Sequence, residues 1–315
     1  MKHIAFEETP LMQLNYFSRK FNCNIICKRD DLFLSGGGGS KSRMLQYILY
    51  PILQQNISTI ITAGGPCSNF NRALALLCAQ YNINLRLVSY TETPEEYNNS
   101  LNHFIVKLTN TDLIFCKKNE VVETINKELD ICSKQAISNK YIYGGGKSLE
   151  GIYAYFEAVK NLRAQYTKPI NEVYVACGTG TTLTGICAGM NAFFPNAAVH
   201  AISVARDFST EKEVLSEDME ILNDYLGSSY NFNNLVFHEE FLAGGYGHTD
   251  PDQLSTIQEC ISQEGLLVDP TYSGKAFWGM TKLLEKKSRN NKTILFWNTG
   301  AIFNLLSQKN EFQNL

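Results

Sequence analysis

This sequence has no apolar run approaching the roughly 20 residues that span a bilayer, so no membrane partner is expected. It lacks an excess of charge of either sign. The net charge of −3 gives no reason to expect nucleic acid binding. There is no internal repeat and no low-complexity linker. The first residues, with Glu7 and Glu8, hold no apolar stretch of the kind a secretory leader uses, and a cytoplasmic location is expected. Paired cysteine spacing is missing as well. Nine cysteines, an odd number, are scattered along the chain, which argues for free thiols in a reducing compartment and against a disulfide framework. Cys23 and Cys27 lie closest together, in a strand-like stretch without a histidine partner, so no metal site is expected.

What is present is ordinary globular composition over 315 residues, 44% hydrophobic and 19% charged, a length that suggests about two domains. Short β-branched runs alternate with longer amphipathic stretches. Strands are expected over 57–62, 85–89, 112–115, 172–176, 198–204 and 293–297. Helices are expected over 72–81, 94–108, 120–138, 148–165, 182–194, 251–264 and 274–287. This alternation implies an α/β protein with open, mostly parallel sheets covered by helices on both faces. Right-handed crossovers then bring the strand-to-helix loops to one edge of each sheet, where such proteins bind ligands.

The loops at that edge are unusual. Ser35-Gly36-Gly37-Gly38-Gly39-Ser40-Lys41 delivers one lysine from four glycines into a helix start. A helix N-terminus is an unfavourable place for a cation, and it lowers an amine's pKa, so an unprotonated Lys41 could attack an aldehyde. The alternatives are an exposed lysine or a point charge for a phosphate. The nucleotide-binding pattern G-x-x-x-x-G-K-[ST] fails here twice, at Ser35 and Ser40. Gly178-Thr179-Gly180-Thr181-Thr182 reads as a phosphate cup of backbone N–H groups and hydroxyls, or as a tight turn with threonine caps. It is not a dinucleotide fingerprint, because Leu183 stands where the third glycine belongs. Ser68-Asn69 follows two glycines and could hold a carboxylate or a phenolate oxygen, or simply cap a helix. Tyr272-Ser273 opens another helix, and Tyr246 sits among glycines.

Taken in order, Lys-Arg-Asp-Asp (28–31), Gly-Gly-Ser-Lys-Ser-Arg (38–43), Gly-Gly-Pro-Cys-Ser-Asn (64–69), Gly-Thr-Gly-Thr-Thr (178–182), Asp-Pro-Thr-Tyr-Ser-Gly-Lys (269–275) and Asn-Thr-Gly (298–300) resemble the pyridoxal-phosphate enzymes of the tryptophan-synthase-β fold type. Within them the chain is most similar to the D-cysteine desulfhydrase and 1-aminocyclopropane-1-carboxylate deaminase family, from about residue 8 to about residue 305. The resemblance implies a larger cofactor-binding domain (1–45 and 160–315), a smaller domain (46–159), a homodimer and a small amino-acid substrate. It implies that Lys41 forms the Schiff base with pyridoxal 5'-phosphate and moves the α-proton, and that Asn69 holds the phenolate oxygen. Ser68 would hold the substrate carboxylate, and Gly178, Thr179, Gly180, Thr181 and Thr182 the phosphate. Tyr246 and Tyr272 would line the substrate side, Ser273 would face the pyridine nitrogen, and Thr299 would lie near the ring.

Ser273 discriminates between reactions. Deaminases of the family carry a glutamate there and desulfhydrases a threonine. A serine leaves the pyridine nitrogen largely neutral, which suits β-elimination, where a leaving thiolate takes the electrons. The expected reaction is therefore conversion of D-cysteine to pyruvate, ammonia and sulfide. Ring-opening deamination, or amino-acid binding without catalysis, are the alternatives. Three positions depart from the family pattern: Ser40 replaces asparagine, Phe70 replaces histidine or glutamine, and Ala301 replaces a glycine. Phe70 removes a polar group near the carboxylate site, which points toward a larger or less polar substrate.

Overall fold

A computed structural model describes residues 1–313. Among these residues the strands are β1 (Leu11–Gln13), β2 (Asn24–Arg29), β3 (Thr59–Gly64), β4 (Asn84–Ser89), β5 (Asp112–Phe115), β6 (Asn139–Tyr141), β7 (Glu172–Cys177), β8 (Ala198–Ser203), β9 (Leu235–His238) and β10 (Thr293–Asn298). They form two sheets, in the orders β1-β2-β10-β7-β8-β9 and β5-β4-β3-β6. Every pairing is parallel except β1 with β2. The α/β class, with mainly parallel sheets and helices on both faces, is thus as expected. No helix among the described residues is long and apolar enough to cross a membrane.

The central strands are apolar throughout because both of their faces are covered. All six residues of β7 are buried. Alternation within a strand divides the core into layers. In β10, Leu295 and Trp297 enter the core that lies between the two sheets, while Ile294 and Phe296 enter the layer on the outer face of the larger sheet. In β3, Ile60 faces the shared core and Ile61 the outer layer under the helix Val121–Lys134. Residues of Ser40–Gln54, Asn69–Gln80, Leu149–Gln165 and Thr181–Phe193 fill the shared core. The last two of these helices pack closely because Gly185 has no side chain: a Cβ there would collide with the Ile152 carbonyl oxygen.

The strand orders fix where a ligand can sit. In the larger sheet the chain runs outward from β7 to β8 and β9, while β10 lies on the other side of β7. In the smaller sheet it runs from β3 to β4 and β5, while β6 lies on the other side of β3. Each reversal opens a crevice beyond the carboxyl ends of the strands. The loops after β7, β10, β3 and β6 all line one cavity.

Candidate active site

That cavity measures about 470 Å³, within the range of small-molecule sites. Lys41, in the first turn of Ser40–Gln54, lines it. The Lys41 Nζ donates to the Gly145 carbonyl at 2.8 Å and lies 3.9 Å from Met44 Sδ. No carboxylate pairs with it among the described residues, and it lines the cavity. Burial without a counter-charge lowers its pKa from 10.5 to about 8.

The loop before Lys41 is held at both ends. The Gly39 N–H donates to the Asp30 carbonyl at 2.9 Å, and the Ser40 N–H donates to the Thr299 carbonyl at 2.8 Å. Gly39 and Gly300 meet backbone to backbone, both at positive φ: a Cβ on Gly300 would lie 2.6 Å from the Gly39 Cα. Arg72 is buried and donates to the carbonyls of Gly36 and Gly38, at 3.3 and 3.0 Å. Behind the loop, the buried Asp30 carboxylate accepts from Arg43 (2.8 and 3.1 Å), Thr9 (2.6 Å), Tyr155 (2.9 Å) and Trp297 (2.9 Å). Glu8 also pairs with Arg43 and Lys28. Burial pushes Asp30 up, but the charges of Arg43 and Lys28 and the hydrogen bonds outweigh it and hold the pKa at about 2.

Gly178, Thr179, Gly180 and Thr182 line the cavity at the start of Thr181–Phe193. Gly180 takes φ 80° and no side chain caps the helix, so its first N–H groups face the cavity's end. Thr181 does not line the cavity. It is buried beneath it, and its hydroxyl has no hydrogen-bond partner among the described residues. Opposite, Ser68 caps Asn69–Gln80 by accepting from the Asn71 N–H at 3.2 Å. Asn69 accepts from Arg72 on Oδ1 at 3.1 Å, which leaves its amide NH2 as the group to offer a ligand. Tyr246 and Tyr272 join hydroxyl to hydroxyl at 2.6 Å on the cavity wall, with Thr299 alongside.

Ser273 lies one layer behind the wall. Its hydroxyl donates to Asp269 at 2.7 Å, with the Gly300 carbonyl at 3.1 Å, and accepts from the Asp269 N–H at 2.9 Å. Asp269 also accepts from the backbone N–H groups of Thr271, Tyr272 and Ser273. Burial still raises its pKa to about 6 against those bonds. Lys275 is a second buried lysine lowered to about 8 by burial, but its amine donates to the carbonyls of Leu242 and Gly245, at 2.6 and 2.7 Å, and anchors the Tyr246 loop.

The structure thus brings Lys41, Ser68, Asn69, Gly178, Thr179, Gly180, Thr182, Tyr246, Tyr272 and Thr299 to one cavity and sets Thr181 and Ser273 behind it. The sequence reading passed over Arg72, Asp30 as a hub, Asp269 as the partner of Ser273, and the Tyr143–Gly146 loop whose carbonyl receives Lys41. A glycine triplet after a strand (144–146) was the available signal for the last. All nine cysteines are free, and no cluster of three or more His, Cys, Asp or Glu could hold a metal among the described residues.

Comparison with known proteins gives concordant results. A family model for pyridoxal-phosphate dependent enzymes matches residues 4–300. A D-cysteine desulfhydrase of Yersinia pestis is 27% identical, over 93% of this chain and 91% of its own. A mitochondrial bifunctional D-cysteine desulfhydrase/1-aminocyclopropane-1-carboxylate deaminase of Arabidopsis thaliana is also 27% identical, over 99% of this chain and 80% of its own. A solved structure described as an ACC deaminase homologue superposes with a TM-score of 0.89 at 25% identity, covering 99% of this chain and 95% of that one.

Proposed function

The chain belongs to the pyridoxal-phosphate dependent enzymes, and from that premise we propose that it eliminates the β-substituent of a small amino acid, converting D-cysteine to pyruvate, ammonia and sulfide. The residues present fit the cofactor. The uncapped start of Thr181–Phe193, with the hydroxyls of Thr179 and Thr182, suits a phosphate. The free amide NH2 of Asn69 suits a phenolate oxygen, and Lys41 is an amine without a counter-charge. When bound, pyridoxal phosphate makes the α-proton of an amino acid acidic and allows a β-substituent to leave.

The protein's share is positioning and proton movement. Lys41 takes the α-proton once its amine is neutral. The Ser68 hydroxyl and the start of Asn69–Gln80 hold the substrate carboxylate. The Tyr246–Tyr272 pair supplies a proton to the departing sulfur. The observation that carries elimination over ring opening is that no carboxylate lines the cavity among the described residues. Asp269 lies behind Ser273 and accepts its hydroxyl, so it would not meet a bound ring nitrogen directly. A departing thiolate can take the electrons itself, whereas a cyclopropane has no such group. In this reading residues 46–159 form the smaller domain, with the cleft between it and the remainder of the chain.

The test is product analysis. Purified holoenzyme is expected to give equal amounts of pyruvate, ammonia and sulfide from D-cysteine and little 2-oxobutyrate from 1-aminocyclopropane-1-carboxylate. Faster release of 2-oxobutyrate overturns the assignment.

A further inference from the structure

The two walls of the cavity differ in chemistry. The wall from the larger sheet and the lysine loop carries the polar groups described above. The wall from the smaller sheet is aromatic and aliphatic: Tyr90 follows β4, Tyr141 ends β6, Tyr143 follows it, and Val121 and Ile125 come from the start of the helix Val121–Lys134. Phe70 closes its base, 1% exposed, where a Cβ on Gly146 would lie 3.1 Å from its ring.

This wall is long. Tyr90 follows β4 and Tyr141 ends β6, strands on either side of β3, and the register sets Tyr141 beside Ile61 but Tyr90 beyond Gly64, so their backbones stand more than about 10 Å apart. A cysteine side chain is one carbon and one sulfur, and it leaves most of that span in water. The mouth is also apolar: Tyr143 is 60% exposed and the adjacent Val122 is 72% exposed. A contiguous apolar surface beside a reactive centre is a binding surface. It carries no charge. Among the described residues that line the cavity the ionisable cations are Lys41 and Arg206, and none is a carboxylate. Arg206 follows β8, away from this wall, and is paired with Glu211 at 3.1 Å. A substrate side chain that covers the wall is therefore neutral, extended and apolar.

We propose that the preferred substrate is an S-substituted D-cysteine with an aryl or arylmethyl group on sulfur, that group lying against Tyr90, Tyr141, Tyr143 and Phe70. The proposal rests on the elimination read above and extends its leaving group. R–S–CH2–CH(NH3⁺)–COO⁻ and water give pyruvate, ammonium and R–SH. The Cβ–S bond breaks with its electron pair going to sulfur, the α-proton goes to the Lys41 amine, and the released thiol takes up a proton. Nothing is oxidised or reduced overall.

The experiment compares S-benzyl-D-cysteine with D-cysteine on holoenzyme, by pyruvate and thiol release, for the native chain and Tyr143→Ala. It adds D-2-amino-5-phenylpentanoate, in which a methylene replaces sulfur and no elimination can occur, and D-alanine, both titrated against the visible band of the bound cofactor. We expect kcat/KM at least tenfold higher for the benzyl thioether, mainly through KM, and a fall of at least fivefold in that preference in Tyr143→Ala. The phenyl analogue should bind at least tenfold more tightly than D-alanine. If D-cysteine is turned over and the thioether is not preferred, the aryl proposal is overturned and the elimination reading stands. If neither gives pyruvate, the elimination reading fails, and the wall is judged by the titration alone: equal affinities for phenylpentanoate and D-alanine overturn it.

Discussion

The reactivity of Lys41 can be tested through its pH dependence. An ordinary lysine near 10.5 is neutral in about three molecules in ten thousand at pH 7, whereas one near 8 is neutral in about one in ten. The structure therefore gives Lys41 a roughly 300-fold advantage in neutral amine over an exposed lysine at that pH. Because burial favours the uncharged form, the rate of aldehyde capture should rise as pH increases through about 8 and level off above 9. The assay mixes enzyme freed of cofactor with pyridoxal phosphate, quenches with borohydride at timed intervals and maps the reduced adduct by peptide mass spectrometry. Pyridoxal without the phosphate, run in parallel, separates amine reactivity from anion binding. The adduct should fall on Lys41 with a midpoint near pH 8. Lys275, whose pKa burial also lowers to about 8, should stay unlabelled because its amine is held by two carbonyls away from the cavity. A midpoint near pH 10, or an adduct on Lys275, would refute the reasoning.

Three further outcomes follow from the geometry. Asp30→Ala leaves the buried Arg43 with Glu8 as its remaining carboxylate and should cost about 3 kcal/mol in urea unfolding. Since the Asp30 pKa is lowered from 3.8 to about 2, its contribution of about 2 kcal/mol is present above pH 3.8 and lost as pH falls through 2, so the gap between native and variant chains should narrow only in that window. Ala301 holds φ 83° and ψ 31°, a conformation that costs a residue with a Cβ about 1–2 kcal/mol, so Ala301→Gly should raise the melting temperature by the equivalent of about 1 kcal/mol after the added chain entropy is offset. Tyr246→Phe removes one hydroxyl of the 2.6 Å pair and should lower kcat for D-cysteine by about 100-fold while leaving the visible band of bound cofactor in place; an unchanged kcat would exclude the pair from proton transfer.

Much of this architecture is legible in the sequence because buried parallel strands are continuous apolar runs. The expected 112–115 strand and 251–264 helix match β5 and Pro251–Glu264 residue for residue. Other elements carry weaker signals. The expected helix 94–108 is broken into Glu96–Asn99 and Leu101–Lys107, because Ser100 caps the second piece through the His103 N–H and donates to the Pro66 carbonyl. Asn139–Tyr141 is too short and polar for alternation to reveal it, so β6 and the loop that receives Lys41 escape notice. The helix Phe208–Leu226 is heavily charged and hides its narrow buried stripe. At the site, local motifs mark Lys41, Ser68 and the Gly178–Thr182 cup, since each is a loop feeding a helix. Long-range partnerships leave no local trace: Arg72 meets Asn102, which meets Asn304, and nothing in the motif 269–275 shows that the Ser273 hydroxyl turns to Asp269.

The hub at Asp30 sets an order of events during synthesis. Its partners stand at positions 9, 43, 155 and 297, so the seat of the reactive amine gathers from nearly the full length of the chain. While Trp297 is still inside the ribosome, the emerging polypeptide has an unfinished pocket behind its glycine loop. Colour from the vitamin-derived aldehyde should then serve as a stopwatch for maturation, developing once β10 has docked between β2 and β7.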